Sequence, residues 1–556
     1  MAQQFPWTQN YPKGVRSEIG PYEFNSLPEL FRSSSKRYAQ RVAFENMGVQ
    51  LTFGEVDILS DAFAAYLQQE LKLNKGDRIA IQMPNLLQFP VAFIGALKAG
   101  LIVVNTNPLY TPREMEHQFK DAGISAIVIV ENFAFNLQQI RDQIPNCKII
   151  LTSMGDMMGL KGHLVNFVVR KIKKLIPAYS LPGAISFNDV LAKGKKLTLR
   201  PVSIDIEDVA VLQYTGGTTG ISKGAQLSHR NLIAHNQMIH EWFKPYLEKG
   251  REDVIITALP LYHIFALTVN GVLMYYSGVK SVLITNRRDI PGFVKELKKH
   301  KFTILTGVNT LFNGLLNNAD FASCDFSQLH GAIGGGMAVQ DAVAKKWLQV
   351  TGKPLVEGYG LSETSPVLCC NPLDGTQRLG TIGLPVPSTE VAIFDDNGNQ
   401  LAMGQTGEIC ARGPQVMRGY WEKDNTGVFF GDWFRTGDIG FMDEDGFFRI
   451  VDRKKDMIKV SGFNVYPNEI ENVISGHPKV LEVACIGIPD EKSGEVIKAF
   501  IVKRDESLTE QEIKDYCHQN LTNYKVPKFV VFRTELPKTN VGKILRRQLK
   551  EEESKK

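Results

Sequence analysis

The feature that most restricts how this chain can fold is an alternation, through its first 310 residues, of short Ile/Val-rich runs with amphipathic segments. Arg78-Ile-Ala-Ile-Gln-Met83, Leu101-Ile-Val-Val104 and Ser125-Ala-Ile-Val-Ile-Val130 read as strands, with helical segments at Leu87 to Ala99 and Arg113 to Asp121 between them. The theme returns at Asp253-Val-Ile-Ile-Thr-Ala258, Ser281-Val-Leu-Ile284 and Thr303-Ile-Leu305. Runs without a polar face suit strands covered on both sides, and their alternation with helices predicts parallel α/β layers. At 556 residues the chain exceeds one hydrophobic core, so several subdomains are expected.

From about Gly380 the texture changes to short strands broken by Gly, Pro and Asp, with hairpin signals at Asn397-Gly398 and Asp445-Gly446. This predicts a small antiparallel sheet or barrel over about 380–451. The charge cluster Asp452-Arg-Lys-Lys-Asp456 follows, and its place between two units makes it a hinge candidate. Beyond it a helix near Pro467 to Ser475, strands at Val483 to Gly487 and Lys498 to Val502, and a helix near Thr509 to Leu521 predict a compact α+β unit. The expected division is a large domain over 1–452, a hinge at 453–455 and a small domain over 456–556.

A composition of 43% hydrophobic and 22% charged residues excludes a disordered chain. A net charge of +5 argues against a dedicated nucleic-acid binder. The apolar stretches Val91 to Val104 and Ile264 to Val279 are too short or too interrupted to cross a bilayer, and the second reads as a buried core helix. Seven scattered cysteines, none in C-x-x-C spacing, fit reduced thiols. The start, Met-Ala-Gln-Gln-Phe-Pro-Trp, lacks a signal-peptide pattern, so the cytoplasm is the expected address.

The strongest chemical signal is Tyr214-Thr-Gly-Gly-Thr-Thr-Gly-Ile-Ser-Lys223, directly after the strand-like Val209-Ala-Val-Leu-Gln213. Glycines let backbone N–H groups approach phosphate oxygens, hydroxyls add donors, and a lysine adds a point charge. The loop departs from G-x-x-x-x-G-K-[ST]: Lys223 follows Ser222, and Gly224 stands where that motif has its magnesium-binding hydroxyl. A nucleotide kinase or ATPase of the P-loop class is therefore disfavoured, and another residue must hold the metal.

These residues, with Leu97 to Pro108, Leu259-Pro-Leu-Tyr-His-Ile-Phe265, Gly334-Gly-Gly336, Glu357-Gly-Tyr-Gly-Leu-Ser-Glu363, Phe434-Arg-Thr-Gly-Asp438, Asp452-Arg-Lys-Lys455 and Asn540-Val-Gly-Lys543, resemble the adenylate-forming superfamily in a matching order over nearly the whole chain. That superfamily includes acyl-CoA synthetases, luciferases and peptide-synthetase adenylation domains. The resemblance implies a large domain of two α/β subdomains plus a β-barrel-like subdomain, with a mobile α+β lid. It implies that Thr215, Gly216, Gly217, Thr218, Thr219, Gly220 and Lys223 hold ATP phosphates. Gly334, Gly335, Gly336, Glu357, Gly358, Gly360 and Ser362 are implied for the nucleotide, Tyr359 for stacking on adenine, and Asp438 and Arg453 for the ribose. Thr215 and Glu363 are implied as Mg²⁺ ligands, Lys543 as the cation bridging acyl carboxylate and α-phosphate, and His263 as a neighbour of that carboxylate. Many relatives have threonine where Ser362 stands; the hydroxyl is kept.

The same resemblance implies a second step with coenzyme A, after a rotation of the lid about Lys455 that brings Lys459, Ser461, Gly462 and Phe463 to the thioester-forming site. The stretch from Gly431 to Glu471 is similar to fatty acyl-CoA synthetases, bacterial long-chain members in particular. Phe265 and the apolar, small-residue stretch Thr306 to Gly314, including Val308, are candidates for the acyl tunnel. The nearest alternative is an acyl-AMP ligase that loads a separate carrier protein. A nucleotide-binding regulatory protein is the non-enzyme alternative, disfavoured because Lys543, Glu363 and the full loop are all retained. Residues 160–176 place Arg170, Lys171, Lys173 and Lys174 among Leu, Val, Ile and Phe, the pattern either of a helix that rests on anionic lipid at the inner face of the cell membrane or of an ordinary amphipathic surface helix. Chain-length preference and oligomeric state, a homodimer included, are left open.

Overall fold

The computed structural model describes residues 5–215, 222–247, 252–539 and 542–555. Two large sheets dominate. A seven-stranded sheet runs in the order Ile185–Ser186, Lys148–Thr152, Ala126–Val130, Arg78–Gln82, Ile102–Asn105, Val209–Thr215, Lys223–Ser228. Every neighbouring pair in it is parallel except the last, a hairpin. A nine-stranded sheet includes, side by side and parallel, Leu355–Gly360, Gly331–Gly334, Ile304–Gly307, Val254–Thr257 and Lys280–Leu283. The Ile/Val runs thus form interior parallel strands. The connecting helices carry their own punctuation: Pro112–Ala122 starts at a Thr111/Glu114 capping box and stops at Gly123, whose φ of 59° is left-handed.

Helix Phe53–Gln69 packs tightly against Gln88–Lys98 and Phe187–Gly194. A Cβ on Gly194 would lie 2.0 Å from the Ala62 carbonyl, so no larger residue fits that crossing. Lys98, which interrupts the apolar stretch in sequence, is buried with its ammonium on Asp57 (2.5 Å), Asp61 (2.7 Å) and Ser60 (2.9 Å). A buried cation is tolerated only when so paired. The stretch 264–279 is buried as expected, but winds as the wide π-helical Ala266–Leu273 followed by Met274–Tyr276. Among the described residues no helix is long and apolar enough to cross a membrane.

A five-stranded antiparallel sheet follows, with Glu390–Phe394, Gly407–Arg412, Trp433–Met442 and Phe448–Arg453 as its longer strands. The last sheet joins Ile458–Val460, Phe463–Val465, Val480–Asp490, Gly494–Lys503 and Phe529–Arg533. It has a core of its own, with Ile458, Val465, Ile470, Ile474, Val483 and Ile497 all buried together. Helices Pro467–Ser475 and Glu510–Asn520 cover it, within a residue of their predicted spans.

Arg546 joins this unit to the preceding sheet. Its guanidinium reaches Glu471 (2.6 Å), Asn468, Asp456 (3.5 Å) and Asp452 (3.1 Å). Asp452 also accepts from the Asn468 N–H (2.9 Å), while its backbone pairs with Ile439 in the five-stranded sheet. Its chain belongs to one layer and its carboxylate is held by the other.

Candidate active site

A cavity of about 370 Å³ opens where the carboxyl ends of the nine-stranded sheet's strands meet the end of Val209–Thr215. Parallel sheets bind ligands there, because the loops that follow the strands converge. Its polar lining includes Thr215, Lys223, Ser362, Glu363, Tyr420, Arg435, Arg453 and Lys543. Its apolar lining includes Ile239, Phe243, Leu259, Phe265, Val269, Val308, Val367 and Cys370.

Thr215 and Lys223 face each other as the last pair of a hairpin. The hairpin is anchored by Tyr214, whose hydroxyl donates to Asp121 at 2.7 Å. The expected phosphate-loop positions Gly216, Gly217, Thr218, Thr219 and Gly220 lie outside the described residues. Strand Lys223–Ser228 receives a further segment on its edge: Trp421 N–H donates to the Gly224 carbonyl (2.8 Å), and Gln226 N–H to that of Gly419 (3.1 Å). This brings Tyr420 into the cavity, where its hydroxyl donates to Glu363 at 2.7 Å and its ring lies 5.3 Å from the Lys223 ammonium. Sequence reasoning missed Tyr420. It lies in Arg-Gly-Tyr-Trp, an ordinary loop whose role depends on a tertiary pairing.

Glu363 is buried. Burial raises its carboxyl above the usual range, and the Tyr420 hydrogen bond opposes that shift. Thr215 and Glu363 line one cavity and present a hydroxyl and a carboxylate, the hard oxygen donors that suit Mg²⁺.

Gly335, Gly336, Gly358, Tyr359 and Gly360 line the cavity, while Gly334 and Glu357 stand just behind it. A Cβ on Gly360 would come 1.8 Å from the Pro366 carbonyl, and one on Gly335 2.9 Å from the Phe265 ring. The Glu357 carboxylate turns away from the cavity to accept from Val339 N–H at 2.9 Å, and burial pushes it up to about 8. It braces the glycine segment.

Tyr359, expected as a flat stacking surface, also donates its hydroxyl to Asp438 at 2.6 Å. Asp438 pairs with Arg453 twice, as strand partners and through the guanidinium at 3.3 Å. The Thr-Gly-Asp turn is a bulge inside strand Trp433–Met442, where Gly437 takes φ 72° and the Thr436 hydroxyl accepts from Asp438 N–H at 3.1 Å.

His263 lines the cavity, and burial first, then Arg287 and Lys543, pushes it down to about 4. It is therefore a neutral imidazole at pH 7. Lys543 enters from the C-terminal loop, and burial, with Arg453 adding repulsion against the pull of Asp438, lowers it to about 7. Gly314 lies outside the cavity, in helix Asn309–Leu316, where a Cβ would come 3.2 Å from Ile290. Lys455, Lys459, Ser461 and Gly462 are exposed. Ser461 and Gly462, at φ 51° and 84°, form the tight turn between Ile458–Val460 and Phe463–Val465. Phe463 stacks on Tyr524 at 4.7 Å. All seven cysteines are free and buried.

Residues 31–421 match the family model described as AMP-binding enzyme, and 469–543 that of the AMP-binding enzyme C-terminal domain. The chain belongs to the AMP-binding enzyme family. It is 56% identical over 549 residues, covering 98% of both chains, to a long-chain-fatty-acid–CoA ligase of Escherichia coli O157:H7. It is 38% identical to one from Bacillus subtilis, covering 100% of this chain and 99% of that one. Among solved structures, an anthranilate CoA ligase in complex with anthranoyl-AMP matches with a TM-score of 0.84 and 25% identity, over 96% of this chain and 98% of the other. The adenylate-forming fold expected from the motif order is therefore the fold of this protein: a large α/β domain with a small C-terminal one. AMP-forming ligation of an acid to a thiol is the chemistry of this chain's closely similar relatives, and of the chain itself.

Proposed function

We propose that this enzyme converts a long-chain fatty acid, ATP and coenzyme A to acyl-CoA, AMP and pyrophosphate through an acyl-adenylate. The observation that carries the reading is that Lys543 of the small domain enters the same cavity as Thr215, Glu363 and Arg453, and that this cavity continues into an apolar wall. In the first step a carboxylate oxygen attacks the α-phosphorus of ATP; the bond to the bridging oxygen breaks, and pyrophosphate leaves. Attack of one anion on another needs cations placed in advance. Lys543 meets the carboxylate and α-phosphate, and Lys223 the outgoing phosphates. Thr215 and Glu363 would hold Mg²⁺, which supplies charge neutralisation of the triphosphate. Asp438 and Arg453 hold the ribose, with Tyr359 fixing the Asp438 carboxylate. His263, being neutral, orients the acyl carboxylate by hydrogen bonding and adds no charge.

In the second step the coenzyme A sulfur attacks the acyl carbonyl carbon, AMP departs with the C–O bond electrons, and the thiol proton passes to solvent. The exposed hairpin of Lys459, Ser461, Gly462 and Phe463 serves this step after rotation at 453–455 about Lys455, with 1–452 fixed and 456–556 moving. A panel of C6 to C18 acids with ATP, Mg²⁺ and coenzyme A checks the reading. The expected result is equal AMP and acyl-CoA, greatest for C14 to C18 acids. Acyl-AMP without thioester would indicate a carrier-loading ligase instead, and no acid-dependent pyrophosphate would end the proposal.

The segment 160–176 supports peripheral contact with anionic membrane. In helix Gly159–Phe167 the side chains of Leu160, Leu164 and Phe167 share one face and are 90%, 63% and 55% exposed. Ile172 and Leu175 continue the exposed apolar surface beside exposed Lys171, Lys173 and Lys174. Arg170 is exposed as well, but its guanidinium is paired with Glu131 (2.8 Å) and Ser153 (2.8 Å). Changing Leu160, Leu164 and Phe167 together to Glu should abolish flotation with phosphatidylglycerol vesicles and leave activity on a soluble C8 acid intact. Undiminished flotation would count against this surface.

A further inference from the structure

We propose that Thr310 is a positioning residue for adenylation: from the large domain it holds the loop that carries Lys543 in the cavity, with Asn313 as a second point of the same dock. This inference rests on the reading above. The Thr310 hydroxyl donates to the carbonyl of Gly542 at 3.0 Å, one residue before Lys543. Three positions along the same helix, the Asn313 amide donates to the carbonyl of Leu481 at 3.0 Å, in strand Val480–Asp490 of the small domain. Residues at i and i+3 share a helix face, so one face of Asn309–Leu316 captures two separate segments of the small domain.

Thr539, Gly542 and Lys543 are tied to one another. Thr539 N–H donates to the Lys543 carbonyl at 2.7 Å, Gly542 N–H to that of Thr539 at 2.9 Å, and Lys543 N–H to the Thr539 hydroxyl at 3.0 Å. Fixing the Gly542 carbonyl therefore fixes the Lys543 backbone as well. The fit also explains the glycine. Gly542 takes φ 84°, and a Cβ there would come 2.8 Å from the Thr310 hydroxyl and 3.3 Å from Val308. The dock is itself rigid at its start, where Asn309 and Gln340 exchange two hydrogen bonds of 3.0 Å. Val308, the residue before the helix, lines the apolar wall, so the element that seats the lysine loop also borders the acyl chain.

The two half-reactions separate this role from a general effect on folding. Thr310→Val keeps the side-chain shape and removes the donor. At saturating ATP and acid it should slow single-turnover pyrophosphate release about tenfold, the scale of one lost hydrogen bond, with KM values unchanged. Thioester formation from preformed acyl-adenylate and coenzyme A should stay at the wild-type rate or rise, since that step needs the lysine loop withdrawn. Thr310→Ser should restore pyrophosphate release, and Asn313→Ala should lower it in the same half-reaction only. Wild-type pyrophosphate release by Thr310→Val, or an equal fall in both half-reactions, would overturn the dock. A wild-type enzyme that releases no pyrophosphate with any acid would instead overturn the reading of function, and the dock with it.

Discussion

Lys543→Ala slows acid-dependent pyrophosphate release by about a thousandfold, the cost of removing one preorganised charge from a developing anion. Acyl-CoA formation from supplied acyl-adenylate stays within about twofold of wild type, because in the proposed cycle that step runs with the small domain rotated away. Single-turnover assays of each half-reaction measure the two numbers, and equal losses in both would contradict a lysine used in one step only. The pH dependence follows from the same burial. A lysine lowered to about 7 in the free enzyme is an ammonium below that pH and neutral above it. The profile of kcat/KM for ATP should therefore fall as pH rises through about 7, while kcat, measured with the polyanion bound and the ammonium favoured, should hold to higher pH. Lys543→Arg, which cannot deprotonate in this range, should flatten the fall in kcat/KM whatever its absolute rate.

Arg546→Met destabilises the small domain by about 3–5 kcal/mol, since it strands carboxylates at Asp452 and Glu471 that have no other cation within reach among the described contacts. Urea melts, with hydrogen exchange followed on strand Gly494–Lys503, resolve that loss from any change in the large domain. The sign of its pH dependence is fixed. Burial already raises both carboxyls despite the guanidinium beside them, and without it they rise further. A carboxyl whose folded pKa lies above its unfolded value binds protons preferentially in the folded state, so the variant regains stability as pH falls below the raised values. A loss of under about 1 kcal/mol, or one independent of pH, would mean that the network is solvated and weak.

Local signals in the sequence make much of the fold legible. The Ile/Val runs are nearly featureless in polarity, and that alone identifies strands covered on both faces, such as Ala126–Val130 and Val254–Thr257. Helix boundaries are readable because Thr111, Glu114 and Gly123 act locally on the backbone. Residues whose roles come from distant pairing carry no such mark. Tyr420 reaches Glu363 only because its loop adds to the edge of Lys223–Ser228, and Thr310 meets Gly542 across 232 positions. Motif membership also misjudges facing. Glu357 sits inside a motif that lines the cavity, and strand alternation alone would put it on the face of Tyr359, yet its carboxylate accepts from the Val339 N–H, a partner that only the fold brings near. The basic segment near 170 reads as uniformly solvated, and only the fold shows Arg170 folded back on Glu131.

Cys370 borders the apolar wall of the cavity, where the proposed reaction would make and hold an activated acyl group. An acyl-adenylate is electrophilic towards any thiolate, so a cysteine in that place invites self-acylation and a dead enzyme. Burial pushes its thiol up to about 12. At pH 7 that leaves roughly one thiolate in 100,000, since only the ionised form attacks. In the proposed reaction the intermediate would be spared because burial withholds ionisation from this sulfur. The incoming cosubstrate, whose thiol ionises freely in water, becomes the acceptor by default.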